Sequence, residues 1–290
     1  MGWPVAVVGA VLVLFVLRDV FHTLWHPTRH GGLSRLTMTA MWRLAKALPR
    51  RGAAGLAGPV AMAVVVAVWS LTAVVGWALI YWPFMPEAFA YAPGLRPDDH
   101  AGFEDALYVS LVHISTLGLG DIAPTEGWLR IVAPMESLVG FALLTATVAW
   151  TLGVFPALAR RRSLALRISH LVRTHPTTDQ VDADAGAAIL DGLAADVTVV
   201  SVDFLQYAES YYFHDGDRRF SLAGQIAGAV SLADQASAAW HPDVRRSAAV
   251  VRAALDDLAA ILDSRFLRTR GSAREVFEAY ARDHGHLGGA

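Results

Sequence analysis

Apolar positions run almost unbroken in three long stretches over the first half of the chain and recur with a helical period over the second. The first stretch is Trp3 to Trp25, about the 20 residues that the hydrocarbon core of a bilayer requires of a helix. The second is Gly55 to Phe84, with Trp77, Tyr81 and Trp82 gathered at its far end, as aromatic rings gather at a membrane surface. The third is Trp128 to Leu158, which holds Gly140, Gly153 and, in its first third, Glu136. Between the second and third lies FEDALYVSLVHISTLGLGD, Phe103 to Asp121. Its glycine-free part, ending at Ser115, is too short to span and has the length of a core or re-entrant helix.

Elsewhere the apolar residues mark one face of a helix. Leu33, Leu36, Ala40, Met41, Leu44 and Leu48 do so in a segment that also carries Trp42 and basic residues, the make-up of a helix lying flat on the inner leaflet. Ile189, Leu193, Val197, Val200, Phe204, Tyr207 and Tyr211 form a long stripe. Leu222, Ile226 and Val230 form a second, Val244, Ala248, Val251, Leu258 and Leu262 a third, and Arg274 to His284 reads as a last short helix. The pattern predicts an all-α membrane protein: three transmembrane helices, one re-entrant helix and a helical C-terminal region.

Composition agrees. The chain is 54% hydrophobic and 17% charged, against roughly 25% charged residues in soluble domains. Met1 to Leu158 holds 9 Lys/Arg and 9 Asp/Glu, whereas the shorter remainder holds 15 and 17, so a membrane-to-water boundary is expected near residue 159. Positive charge sets the orientation. Arg29, Arg35, Arg43, Lys46, Arg50 and Arg51 follow the first span and Arg160 to Arg162 follow the third, while Met85 to Gly102 holds only Arg96. Basic loops stay cytoplasmic, which puts the N-terminus outside, the C-terminal region inside and the re-entrant segment on the outer face. The first span lacks the positive start and small-residue end of a cleavable signal. Arg18 and Asp19 near its end read as a snorkelling Arg with an adjacent ion partner, or else as a polar contact that docks this helix on a neighbour. There is no cysteine, hence no disulfide, thiolate metal site or Cys nucleophile. The formal net charge of -2 gives no case for a nucleic-acid partner.

Thr116-Leu117-Gly118-Leu119-Gly120 is poor in polar side chains and offers chiefly its backbone. Two glycines in five residues disfavour a helix. Non-helical chain at membrane depth survives only where it is buried in protein or lines a wet cavity. Glycine tolerates positive φ, so alternating glycines turn successive carbonyls to one side. Four such strands around an axis would stack rings of oxygens that replace an ion's water shell, with the Thr116 hydroxyl as the innermost ring and the leucines packed away from the axis. Phe103 to Ser115, with Glu104 and Asp105 in its first turn, would aim the negative end of its dipole at that path.

Tyr108, Val109 and Ser110, followed by Thr116 through Gly120 and Asp121-Ile122-Ala123-Pro124, resemble the pore loop of the potassium channel superfamily, in particular bacterial channels with two pore-forming helices per subunit (the ion channel 2 type) preceded here by an extra N-terminal helix. The resemblance implies an N-terminal transmembrane helix over 1–28, a cytoplasmic amphipathic linker over 29–54, a pore domain over 55–158 and a cytoplasmic helical domain over 159–290. Within the pore domain it implies an outer helix over 55–84, a pore helix over 103–115, a selectivity filter over 116–120 and an inner helix over 128–158. It implies a homotetramer in the plasma membrane conducting K+ through the backbone carbonyls of Thr116, Leu117, Gly118, Leu119 and Gly120, with Asp121 at the outer mouth, Gly140 as gating hinge and Phe141, Leu144 and Val148 lining the cavity. Potassium is then the permeant ligand; no cofactor and no structural metal are expected. Membrane lipid is a partner, and a gating ligand or partner protein at the cytoplasmic helices is left open.

Three departures stand out. Leu119 occupies the position where Tyr is commonest, so the hydroxyl that ties the filter to its surroundings is missing. Val112 replaces a Glu that some relatives bury behind the filter, and a helix precedes the two-helix core. Glu136, two turns into the third span, is expected to hydrogen-bond the pore helix through His113 or Ser110 in place of that Glu; the plainer alternative has His113 packed and Glu136 reaching interfacial water. Asp182 to Gly186 reads as a helix cap, and His214-Asp215-Gly216-Asp217 as a polar turn. Arg160 to Arg162 read as the lipid headgroup boundary. Leu119 keeps open a poorly selective monovalent cation channel, and a non-conducting membrane-anchored sensor or accessory subunit is the alternative of another class. No Ser/His/Asp order, metal-spaced His cluster or paired carboxylates converge in the spans, so no enzyme is expected.

Overall fold

The computed structural model describes residues 2–24, 32–47, 53–174 and 186–286; Trp25, Arg29, Leu48, Arg50, Arg51 and Asp182 to Ala185 lie outside them. The chain divides into two compact units, Met1–Ala40 with Val60–Thr151 and Met41–Pro59 with Leu152–Ala290.

The first unit is built on α1 (Trp3–Leu24), the start of α2 (Gly32–Ala47), most of α3 (Ala53–Tyr81), α4 (Phe103–Ile114) and the first half of α5 (Leu129–Arg173). Three of these, α1, α3 and α5, are long and apolar enough to cross a membrane; the protein is an all-α membrane protein. Lipid supplies no hydrophobic drive between helices, so small residues that admit close contact decide where they meet. Helices α1 and α3 meet at Gly9 and Gly76: a Cβ on Gly9 would lie 2.3 Å from the Gly76 carbonyl oxygen. One turn from the end of α1, buried Asp19 accepts from the backbone N–H of Leu33 (2.9 Å) and Ser34 (3.1 Å) and from Trp69 Nε1 (2.8 Å). Its carboxylate thus satisfies orphan donors in the first turn of α2 and docks α1 on α3. Of the two sequence readings of Asp19, the docking contact is the one observed.

A short ribbon follows α3. Strand β1 (Phe89–Tyr91) pairs antiparallel with β2 (Ile122–Pro124), in the register Phe89↔Pro124, Ala90↔Ala123 and Tyr91↔Ile122. Three-residue strands are too short to carry a measurable period, so the hydrophobic pattern does not reveal them. The ribbon ties the chain leaving Gly120 to the chain leaving α3. Helix α5 begins at Leu129 and continues unbroken to Arg173, past the expected end at 158; a rise in charge density marks where water begins and does not end a helix.

The second unit centres on α6 (Gly186–Gln206), α7 (Leu222–Ala236), α8 (Pro242–Leu262) and α9 (Ala273–Asp283). Most residues of the stripes read from the sequence form its core, with Leu193, Phe204, Ile226, Val251 and Leu258 buried together beside Tyr280; Ile189 is exposed, and Leu190 takes its place in the core. The arginine run corrects a sequence reading. Arg160 pairs with Asp203 (2.6 Å), and Arg161 and Arg162 both pair with Asp215 (2.8 and 2.7 Å). Arg161 is only 3% exposed, and its guanidinium also donates to the carbonyls of Ser210 and Phe213. This run therefore clamps the helix to its own domain and is engaged with carboxylates instead of free for lipid phosphates, and Asp215, in the polar turn expected at 214–217, is a buried ion partner.

Candidate functional site

The site is assembled at the C-terminal end of α4. At the other end, Asp105 Oδ2 accepts from the N–H of Gly102 (3.1 Å) and Oδ1 lies 3.0 Å from His100 Nδ1, a charged cap where the dipole favours an anion. The helix closes at Ser115, after which the chain folds back: Leu117 N (3.1 Å) and Gly118 N (3.3 Å) both donate to the Val112 carbonyl.

From there the backbone alternates in hand. Thr116, Gly118 and Gly120 have φ of 60°, 57° and 75°, while Leu117 and Leu119 do not take positive φ. The glycines were expected there. Thr116 was not, because a β-branched residue pays of order 1–3 kcal/mol for such a conformation and keeps it only where the surroundings impose it. Among the described residues, no hydrogen bond is donated to the carbonyls of 116–120. Leu117 and Leu119 are 65% and 58% exposed on the single chain. An unsatisfied strand with bare leucines, flanked by spanning helices, is a structure that needs other groups around it.

Hydrogen bonds tie down the outer end of this strand and brace the helices behind it. Tyr108 donates to Asp121 Oδ2 (2.6 Å), and Asp121's own carbonyl accepts from Ala92 N (2.8 Å) at the end of the ribbon. These contacts hold the outer end of the strand, which Leu119 has no hydroxyl to do. Behind the strand, Glu136 is fully buried. Its Oε1 receives Ser110 Oγ at 2.5 Å and its Oε2 receives Tyr81 Oη at 2.6 Å. One carboxylate thereby joins α3, α4 and α5. Ser110 Oγ also lies 3.0 Å from the Val74 carbonyl, an alternative acceptor for its single proton.

Other expected residues fall differently. His113 Nδ1 bonds the Val109 carbonyl (2.8 Å) and its ring packs near Tyr81; it makes no hydrogen bond to Glu136. Tyr81 was missed as a partner, because its place among interfacial aromatics disguised a buried phenol. Gly140 abuts α4: a Cβ there would sit 1.9 Å from the Ile114 carbonyl oxygen, and Ser137 Oγ donates to the His113 carbonyl (2.8 Å). Close packing thus accounts for the glycine independently of any hinge. Phe141 and Thr116 border one open hollow, Leu144 lines a second with Trp69 and Ser115, and Val148 is exposed beyond them. No cluster of metal-ligating side chains occurs among the described residues. The chemistry on offer is a row of free carbonyl oxygens.

Residues 64–155, which contain every group just described on α4 and the strand, match the family model described as an ion channel. The chain is 26% identical over 168 residues to an uncharacterized membrane protein of Bacillus subtilis (strain 168), YdjJ, covering 57% of this chain and 48% of that one. The chain thus spans about half the length of that curated relative. No solved structure matches. Through residues 64–155, the chain is thus similar to the ion channel family.

Proposed function

We propose that four copies of this chain surround one axis and conduct K+ passively across the plasma membrane, with the N-terminus outside and the helical C-terminal unit in the cytoplasm. The observation that carries this reading is the alternating left-handed conformation of Thr116, Gly118 and Gly120, with five successive carbonyls that take no donor among the described residues. Oxygen rings made from four such strands replace a hydration shell, and exposed Leu117 and Leu119 gain cover from the neighbouring subunit. The Tyr108–Asp121 bond supports a rigid outer mouth despite Leu119. Gly140 would combine its packing role with bending of the inner helix, and Phe141, Leu144 and Val148 would face the cavity below Thr116. The missing hydroxyl at Leu119 favours, as a second reading, a pore that passes monovalent cations with little discrimination.

Tracer rubidium uptake into potassium-loaded vesicles of purified protein tests conduction. Uptake is expected for the parent and lost in Gly118→Ala. A Cβ at Gly118 meets nothing within 4 Å, so that loss would come from forcing Ala to a positive φ, which costs roughly 1–2 kcal/mol. A parent without uptake, or a variant equal to it, would contradict the proposal.

A further inference from the structure

The second unit holds a pocket of about 240 Å³ between α7 and α9; for scale, a dry cavity of about 150 Å³ takes a benzene-sized guest. Its apolar wall comes from Ile226, Ala227 and Val230 on α7 and Phe277 and Ala281 on α9. Its charged rim is unequal. Arg274 is engaged with Asp234 at 3.1 Å, and Glu278 faces Arg282 at 3.9 Å. Arg218 has no carboxylate partner among the described residues. His286 also lines the pocket, and its Nε2 is buried without a hydrogen-bond partner among the described residues. Buried polar atoms are nearly always satisfied, so an orphan in a pocket wall marks a place for a ligand group.

We propose that this pocket binds a small organic monocarboxylate, with its apolar body between α7 and α9 and its carboxylate received by Arg218 and His286. A single charge suits the rim: Arg274 shares Asp234 with Arg252, and among the described residues Arg218 is the one rim guanidinium with no carboxylate beside it. The guanidinium fork suits a carboxylate, and the apolar wall excludes a bare inorganic anion. The pocket reaches the helix that leaves the pore segment: the His286 and His214 rings lie 5.9 Å apart at 13°, His214 and His284 lie 6.4 Å apart at 12°, and buried Arg161 on α5 acts electrostatically on both His284 and His214. An anion that draws on His286 therefore bears on the clamp at Arg161. That consequence for gating rests on the channel reading; the binding does not.

Calorimetry on the purified full chain with benzoate, benzyl alcohol and benzylamine decides the site. Benzoate is expected to bind, with benzyl alcohol and benzylamine weaker by at least about tenfold, the worth of a charge-assisted hydrogen bond. Arg218→Ala should lower benzoate affinity by about the same factor and leave benzyl alcohol unchanged. Ala227→Leu, which fills the pocket, should remove both. No benzoate binding, or equal affinity for all three probes, overturns the proposal. In vesicles, benzoate should alter ion flux through the parent and not through Arg218→Ala. Binding without altered flux overturns the coupling alone, whereas absence of flux in every sample is a failure of the channel reading, with the calorimetry still deciding the pocket.

Discussion

Glu136 lends itself to a test that separates geometry from mere proximity. Its carboxylate takes two hydroxyl donors, Tyr81 at 2.6 Å and Ser110 at 2.5 Å, in a fully buried position. By distance alone the serine would be judged the stronger partner. The Val74 carbonyl, 3.0 Å from Ser110 Oγ, reverses that order. In Glu136→Leu the serine hydroxyl turns to Val74, while the Tyr81 phenol is orphaned at a cost of about 1–3 kcal/mol. Coupling energies between hydrogen-bonding side chains in membrane proteins average about 0.6 and reach about 1.7 kcal/mol, and a bond whose loss orphans a buried phenol lies at the upper end. A double-mutant cycle of Tyr81→Phe with Glu136→Leu should therefore give about 1–2 kcal/mol, and one of Ser110→Ala with Glu136→Leu at most about 0.5 kcal/mol. Glu136→Gln should stay within about 1 kcal/mol of the parent, since its oxygen accepts from Tyr81 and its amide donates to Ser110 as that hydroxyl moves to Val74. The assay is reversible unfolding of the purified protein in mixed micelles, followed by circular dichroism. A serine coupling equal to or above the tyrosine coupling, or a Gln variant as unstable as the Leu variant, would refute the argument.

Three further outcomes are expected. Gly140→Ala would place a methyl 1.9 Å from the Ile114 carbonyl oxygen and must push α4 and α5 apart, so it should abolish tracer flux while helix content persists; Gly127→Ala, where a Cβ meets nothing within 4 Å, is the control and should match the parent. Asp19→Ala leaves Trp69 Nε1 and two backbone N–H groups without their acceptor and should destabilise by about 2–3 kcal/mol, with Asp19→Asn intermediate, read from thermal unfolding by tryptophan fluorescence. The second unit should lose stability in acid. Burial holds His214, His284 and His286 below the ordinary histidine value of 6.5, and for His284 the charges of Arg161 on α5, Lys46 on α2 and the two other histidines add to that effect; the rings of Tyr211 and Tyr280 pack against it, and Asp283 is its neighbour in sequence. Below pH 6.5 the unfolded chain takes up protons that the folded one refuses, so the stability is complete above that pH and is lost as pH falls through the depressed folded values. The unfolding temperature measured between pH 5 and 8 should fall on the acid side, and His284→Phe should flatten the curve.

The sequence shows the three spans, the short helix between them and the glycine pair clearly, because each depends on local rules: length, period and the conformational freedom of a residue without Cβ. Thr116 escaped those rules, since nothing in a threonine announces a positive φ; the fold of the strand back onto Val112 imposes it. For Asp19 the sequence leaves two readings open, ion partner of Arg18 or docking contact, because its donors, Leu33, Ser34 and Trp69, come from two other helices. Tyr81 was hidden by a sound generalisation about interfacial aromatics. In the second unit the helical stripes were legible from their period, whereas the clamp of Arg160 to Arg162 on Asp203 and Asp215 was not: a run of arginines at the end of a span has the same appearance whether it meets lipid phosphates or carboxylates folded back from 40 or 50 residues away.

The most direct measurement of the central claim is the reversal potential of purified protein in a planar bilayer, under opposed potassium and sodium gradients. Under a tenfold potassium gradient balanced by sodium, current carried by K+ alone reverses near the potassium equilibrium value, about 59 mV in magnitude, and that is the result expected of oxygen rings built from Thr116 to Gly120. A reversal potential at zero would mean that these carbonyls do not tell the two cations apart, and would contradict potassium selectivity.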